Sequence, residues 1–209
     1  MNGNDTETDE NLAAQAATGD RAAFETLVRR HKSSLFRFVR RYVGNPDDAY
    51  DVLQDTFISV WSGLRRYDST RPFLPWLRTI ALNKCRDFGR RLFVRRLMLR
   101  TRAAQPEDPP APPADSDSIS AEALESQRLA EVDAAIAALP PFYKEPLLLT
   151  IVSGLSHREA ADLLKTTAKA VEMRVYRARR KILEAVGDPT GGGIGQADAY
   201  SSRERTRLS

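Results

Sequence analysis

The sequence predicts an all-α chain built as two small helical domains joined by a flexible, acidic, proline-rich linker. Three observations carry that expectation. Apolar residues recur at three- and four-residue spacings over two stretches, about Asp20 to Arg102 and Ala121 to Val186. No run alternates apolar and polar residues as a half-buried strand does. Between the two stretches lies "AAQPEDPPAPPADSDS", Ala103 to Ser118, whose prolines and four acids leave it unable to bury a core. The expected division is a flexible N-terminus (1–19), a first domain (20–102), a linker (103–120), a second domain (121–186) and a flexible tail (187–209).

Charge follows the same boundaries. The whole chain of 209 residues is only +4, but Arg21 to Arg102 holds nineteen basic and seven acidic side chains. The first twenty residues carry five acids and no base, and the linker is equally without bases. Positive charge concentrated in this way suits a polyanion such as nucleic acid. The longest apolar run, "LLLTIV" at Leu147 to Val152, is far too short to cross a bilayer, and the polar, acidic N-terminus does not read as a signal peptide. A soluble protein is the expectation.

In the first domain, "RAAFETLVRRHKSSLFRFVRRYVG" puts Phe24, Leu27, Val28, Leu35, Phe38, Val39 and Tyr42 on one helical stripe. Gly44 ends that helix, Asn45 caps the next, and Pro46 occupies its first turn. The next helix, to Trp61, has an apolar stripe of Ala49, Val52, Leu53, Phe57, Val60 and Trp61. Its opposite face holds Asp51, Gln54, Asp55 and Ile58 at spacings i, i+3, i+4 and i+7, with no basic residue between Asp48 and Trp61. After the loop "GLRRYDSTRPF", Pro75 opens a long helix. There Trp76, Leu77, Ile80, Ala81 and Phe88 can face inward while Arg78, Arg86, Arg90 and Arg91 stay in solvent.

The second domain contains "LSHREAADLLKTTAKAVEMRVYRARRKI", Leu155 to Ile182. Ser156 and Glu159 form a capping box at the start of a short helix, and Thr166 and Thr167 are both candidate caps for a second. In the second helix Ala168, Val171, Val175, Ala178 and Ile182 share one face. Lys169, Glu172, Met173, Tyr176, Arg177 and Arg180 share the other. A short helix, a tight turn and a basic second helix make a DNA-reading helix-turn-helix, although a helical hairpin with a solvated basic face has the same spacing. If the face reads DNA, Arg177 suits a guanine edge and Glu172 a cytosine amino group. Met173 and Tyr176 then supply apolar contact, and Arg174, Arg179, Arg180 and Lys181 hold phosphates.

Catalytic and metal chemistry find little support. Cys85 is the lone cysteine, and His31 and His157 lie in different domains without metal-ligand spacing. No glycine-rich phosphate loop or nucleophile elbow occurs. No catalytic residue, metal or cofactor is expected. A DNA-binding regulator acting alone and a nuclease are the competing readings.

"DAYDVLQDTFISVW", "FLPWLRTIALNKCRDFGRR" and "LPPFYKEPLLLTIVSGLSHREAADLLKTTAKAVEMRVYRARRKI", in that order, resemble an extracytoplasmic-function (ECF) sigma factor. This is the small two-domain form of the bacterial sigma-70 family, and the resemblance spans roughly Asp20 to Val186. It implies a region 2-like helical bundle and a region 4-like helix-turn-helix, acting as a transcription initiation subunit that brings core RNA polymerase to promoters. It also implies that Asp51, Gln54, Asp55 and Ile58 dock on the clamp helices of the largest polymerase subunit. A carboxylate-bearing face there suits a basic protein partner and repels phosphate.

By the same resemblance, Tyr67, Ile80 and Asn83 line a pocket for a flipped base of the minus-ten element, with Asp68 and Ser69 beside it. An aromatic ring offers a stacking platform and an amide can read a base edge. Arg78, Lys84, Arg86, Arg90 and Arg91 are the candidate phosphate contacts around it. Lys169, Glu172, Met173, Tyr176, Arg177 and Arg180 are the candidate minus-thirty-five readers, although Glu172 stands where many members carry a base, and Lys169-Ala170 replaces a common Gly-Thr pair. Glu107, Asp108, Asp115 and Asp117 of the linker imitate a phosphate backbone or serve as a plain spacer. The remaining implications are control by an anti-sigma factor, a bacterial cytoplasmic, nucleoid-associated location, no membrane insertion, and a monomer when free.

Overall fold

The computed structural model describes residues 7–102 and 121–187. Eight α-helices follow one another in these segments: α1 (Asp9–Ala17), α2 (Arg21–Val43), α3 (Pro46–Gly63), α4 (Phe73–Arg102), α5 (Ala121–Ala138), α6 (Pro141–Leu147), α7 (His157–Leu164) and α8 (Ala168–Val186). A 3-10 turn, Leu64–Arg66, follows α3, and a π-helical turn, Leu148–Val152, follows α6. No strand occurs among the described residues. The expected linker with its four acids, and the tail beyond Gly187, lie outside them.

Local chemistry sets most helix boundaries. Asp20 Oδ1 accepts from the backbone N–H groups of Ala22 (2.8 Å) and Ala23 (3.2 Å), two donors that α2 cannot bond internally. Gly44 ends α2 in the left-handed region at φ +93°. A Cβ at Gly44 would also lie 3.2 Å from Ala137 Cβ in α5, so conformation and close approach both favour glycine. Asn45 Oδ1 then caps α3 through Asp47 and Asp48, with Pro46 in the first turn.

The apolar stripes meet as the spacing predicts. Leu27, Leu35, Phe38 and Val39 of α2 pack with Val52, Leu53 and Val60 of α3 and with Leu77, Ala81 and Leu82 of α4. Leu147, Leu148 and Leu149 join Leu155, Ala160, Val171, Val175 and Ala178 in the second domain. Fully burying one such side chain stabilises the fold by about 1.5–3 kcal/mol.

Two expectations need correction, and one contact was not foreseen. Residues 9–17 are an integral helix, with Leu12 and Ala13 fully buried and Thr8 Oγ1 capping through the Asn11 N–H. Its short apolar stripe is filled by contact with α2, although it is too weak to stand out alone. Trp61 sits at the rim of the first domain, 38% exposed, with its ring 4.9 Å from that of Phe24. The two domains also touch: α2 packs on α5 and on the π-helical turn, and α4 contacts α7. Arg41 Nε donates to Asp133 Oδ1 (2.9 Å) across this seam.

Candidate functional site

The loop between α3 and α4 is built around aromatic packing. Tyr67 closes the 3-10 turn by donating its N–H to the Leu64 carbonyl (3.0 Å). Its ring meets Phe73 edge-on, with centroids 5.6 Å apart at 87°, and lies 4.8 Å from Trp76. Its hydroxyl donates to the Arg71 carbonyl, closing the loop on itself. Burial, then the charges of Glu10, Asp68 and Asp9, push that hydroxyl up to about 12. Asp68 folds the loop by accepting from the Thr70 hydroxyl (2.6 Å) and N–H (3.1 Å), and these bonds hold its carboxyl below the usual range. Ser69 is exposed next to it.

Trp76, Ile80 and Asn83 are four and three residues apart on α4 and so continue one face away from the Tyr67 ring. Ile80 is half-buried and Asn83 exposed. Tyr67, Ile80 and Asn83 thereby share one flank of the first domain. The Tyr67 ring is already stacked within the protein and offers only part of its surface.

The basic residues separate by environment. Arg78 is not in solvent: it is 1% exposed, with its guanidinium 5.4 Å from the Phe38 ring centroid and Nη2 donating to Ser34 Oγ at 3.2 Å. Its position falls on the α2-facing stripe of α4 beside Leu77 and Ala81. Burial, then Arg37, lowers its pKa to about 10. Arg78 is therefore withdrawn as a phosphate contact. Arg86 is engaged by Glu145 of the second domain and is only partly exposed. Arg90 pairs with Asp87, and Lys84 is partly exposed. Arg91 Nη2 lies 4.0 Å from Asp55 Oδ2, a pair too exposed to contribute much.

Asp51 and Gln54 on α3 are exposed, Asp55 is about half-exposed, and Ile58 is 57% exposed. The four residues border two grooves. Asp51 and Asp55 face Arg91 and Arg95 across one of about 490 Å³. Ile58 lies with Phe24, Val28, Tyr50, Phe57 and Trp61 in an apolar one of about 510 Å³, and Gln54 borders both. Sequence reasoning missed the apolar groove because it assigned Phe24, Phe57 and Trp61 to the core. Tyr50, one turn before Gln54 on α3, was the available signal.

In the second domain the capping box is complete. Ser156 Oγ accepts from Glu159 N–H (3.2 Å), and Glu159 Oε2 accepts from Ser156 N–H (2.8 Å). Thr167 is the cap of α8, accepting from Ala170 N–H at 3.1 Å. Lys165, at φ 51° and ψ 53°, takes the left-handed position in the turn that glycine often fills. With Val171, Val175 and Ala178 buried, α8 leaves Lys169, Glu172, Met173, Tyr176, Arg177 and Arg180 exposed. Lys169 Nζ and Glu172 Oε2 are 2.9 Å apart, and Arg180 Nε donates to Glu184 Oε1 at 2.8 Å. Arg174 instead lies 4.0 Å from the Phe142 ring centroid, a cation–π contact that half-buries it.

Among the described residues, no group of three or more His, Cys, Asp or Glu is placed to hold a metal ion. No described helix is long and apolar enough to cross a membrane.

A helical bundle with an acidic exposed face, followed by a helix-turn-helix with a polar second helix, fits a two-domain DNA-directed factor. Comparison with known proteins narrows the class. Residues 27–92 match the family model for sigma-70 region 2, and residues 129–182 match that for sigma-70 region 4. The chain is 40% identical to RNA polymerase sigma factor NccH of Alcaligenes xylosoxydans xylosoxydans, covering 85% of this chain and 94% of the relative. It is 37% identical to RNA polymerase sigma factor CnrH of Cupriavidus metallidurans, covering 86% and 94%. The solved structure of CnrH in complex with the cytosolic domain of CnrY superposes with a TM-score of 0.62 at 35% identity, covering 85% of this chain and 96% of that one. The chain belongs to the sigma-70 family and is an RNA polymerase sigma factor of the ECF type.

Proposed function

We propose that this sigma factor divides its work among three surfaces. Asp51, Gln54, Asp55 and Ile58 of α3 hold the clamp helices of core polymerase. Tyr67, Ile80 and Asn83, flanked by Asp68 and Ser69, receive an unstacked base of the minus-ten strand, with Lys84, Arg86, Arg90 and Arg91 near its phosphates. Glu172, Met173, Tyr176 and Arg177 read the minus-thirty-five element, with Lys169 and Arg180 at the edges of that face. The chain performs no catalysis of its own; the polymerase makes and breaks the bonds. It acts in the bacterial cytoplasm at the nucleoid, as a monomer until it meets core enzyme.

The observation that carries this reading is the face of α8. Three buried small or branched residues turn Met173, Tyr176 and Arg177 outward together, at the spacing with which a recognition helix meets base edges. Arg86 meets phosphate only after it leaves Glu145, so promoter engagement requires the two domains to separate.

A protein inhibitor, an anti-sigma factor, is part of the proposal. CnrH, 35% identical in its solved form, was captured with the cytosolic domain of another protein. The apolar groove beside Ile58 is the surface of the present chain proposed to receive such a partner. Transcription in vitro with sigma-free core polymerase and a promoter library tests the core of the reading. Defined start sites that depend on this chain are expected, and their absence at low ionic strength would overturn it.

A further inference from the structure

One helix of the first domain precedes the segment that matches sigma-70 region 2. That match begins at residue 27, whereas α1 ends at Ala17. A hydrogen bond joins α1 to the promoter-reading loop: Glu10 Oε1 accepts from the backbone N–H of Phe73 at 2.9 Å, across 63 residues of sequence.

Phe73 is the first residue of α4, so its N–H is among those that α4 cannot satisfy within itself. The starts of α1, α2, α3, α7 and α8 are capped locally, by Thr8, Asp20, Asn45, Ser156 and Thr167, and α6 begins without a side-chain cap. At α4 the preceding residue is Pro72, whose side chain has no acceptor atom. Glu10 supplies the missing acceptor from another helix, and its carboxylate also complements the positive end of the α4 dipole.

The residue before Glu10 is held to α2. Asp9 Oδ1 accepts from Arg30 Nη1 at 2.9 Å, and Asp9 Oδ2 lies 2.6 Å from His31 Nε2. The His31 ring is itself 5.6 Å from that of Phe73. Leu12, Ala13 and Ala16 bury the other side of α1, which packs against the 3-10 turn leading into Tyr67. Phe73, 1% exposed, is thus gripped from α1 and α2 and is the ring against which Tyr67 leans edge-on.

We propose that α1 braces the minus-ten reader and that Glu10 is a positioning residue: its carboxylate seats the start of α4 and, through Phe73, aims Tyr67 at the unstacked base. The proposal rests on the reading of Tyr67 given above. A base-receiving ring must be held closely, since a loosely held one loses the stacking it offers.

The test uses holoenzyme reconstituted from core polymerase and the full chain, on a promoter selected by wild-type transcription. Closed-complex affinity and the rate of open-complex formation, followed by permanganate reactivity of unpaired thymines, are measured separately. Tyr67→Ala must slow opening; if it does not, the underlying reading of the loop fails. With Tyr67→Ala effective, Glu10→Ala is expected to slow opening about five- to tenfold, the size of one buried hydrogen bond, with closed-complex affinity within about twofold of wild type. Glu10→Gln retains an acceptor oxygen and is expected to recover most of the rate. An unchanged opening rate in Glu10→Ala overturns the brace. So does an equal fall in affinity and rate in a variant whose helical signal and melt match wild type. Should Glu10→Ala fail to fold, Glu10→Gln decides: a wild-type-like rate supports the acceptor role, and a slow rate with intact affinity overturns it.

Discussion

Arg86 of the first domain and Glu145 of the second form a two-point clasp. Arg86 Nε donates to Glu145 Oε1 at 2.8 Å and Nη2 to Oε2 at 2.5 Å, and the Tyr42 hydroxyl adds a third bond at 3.2 Å. The Glu145 side chain is 9% exposed, whereas Arg86 keeps 36% of its surface. The neighbouring Lys144 donates to the Tyr42 carbonyl at 3.2 Å, extending the seam. Hydrogen bonding to Glu145 raises the pKa of Arg86, and burial lowers that of Lys144.

Glu145→Ala is expected to loosen the domains. The lost charge-assisted bonds are worth about 1.5–3 kcal/mol, toward the low end because Arg86 keeps contact with solvent. Small-angle scattering of the free chain should show a larger radius of gyration, and a single-stranded minus-ten oligonucleotide should bind more tightly. An unchanged radius would mean that the remaining seam contacts, Arg41–Asp133 and Lys144–Tyr42 among them, hold the domains together.

Reversal of the α3 carboxylates tests the polymerase contact. Asp51→Lys with Asp55→Lys should reduce association with core polymerase at least tenfold, about 1.4 kcal/mol. Binding of the full chain to a minus-thirty-five duplex should stay unchanged. Competition against a second sigma factor provides the measurement, and equal competition by the variant would rule out that face.

Arg177→Ala should weaken promoter-specific duplex binding by about 1–3 kcal/mol. Random duplex is the control. If both weaken equally, Arg177 is holding phosphate and reads no base.

Arg78 belongs to the core, so its substitution should show in stability and leave DNA electrostatics alone. Arg78→Met removes a buried charge, including an Nε without a partner, and should leave stability unchanged or raise it by up to about 2 kcal/mol. Arg78→Ala should cost about 2–4 kcal/mol through the cavity it leaves. Neither should alter the slope of DNA affinity against salt. A shallower slope would place Arg78 on the DNA.

The capping box makes a pH-dependent contribution. Bonds from the Ser156 hydroxyl and N–H hold Glu159 below its usual 4.5. A carboxyl depressed by folding stabilises fully above that value and loses its contribution as pH falls through the lower, folded one. Thermal melts of wild type and Glu159→Gln should therefore differ at pH 7 and converge as the pH falls well below 4.5. A constant difference across that range would show that the charge is irrelevant.

The sequence by itself determined the all-α class and most of the helices. Spacing placed the α2 and α3 stripes, Gly44 and Asn45 placed the boundary between them, and the Ser156–Glu159 pair placed the start of α7. These are local effects, set by residues within one or two turns. The outward face of α8 was legible for the same reason, since burial of Val171, Val175 and Ala178 fixes what points away. Which side of a helix meets which neighbour was decided only in three dimensions. Arg78 looked solvated because a charge usually is, yet its position on the α2-facing stripe of α4 put it inside. The helix at 9–17 was hidden because its three buried residues signify little until α2 covers them. The Glu10–Phe73 and Arg86–Glu145 bonds join residues 63 and 59 positions apart, and no local periodicity encodes such a meeting. They form because packing brings a carboxylate to a donor that its own segment leaves unsatisfied.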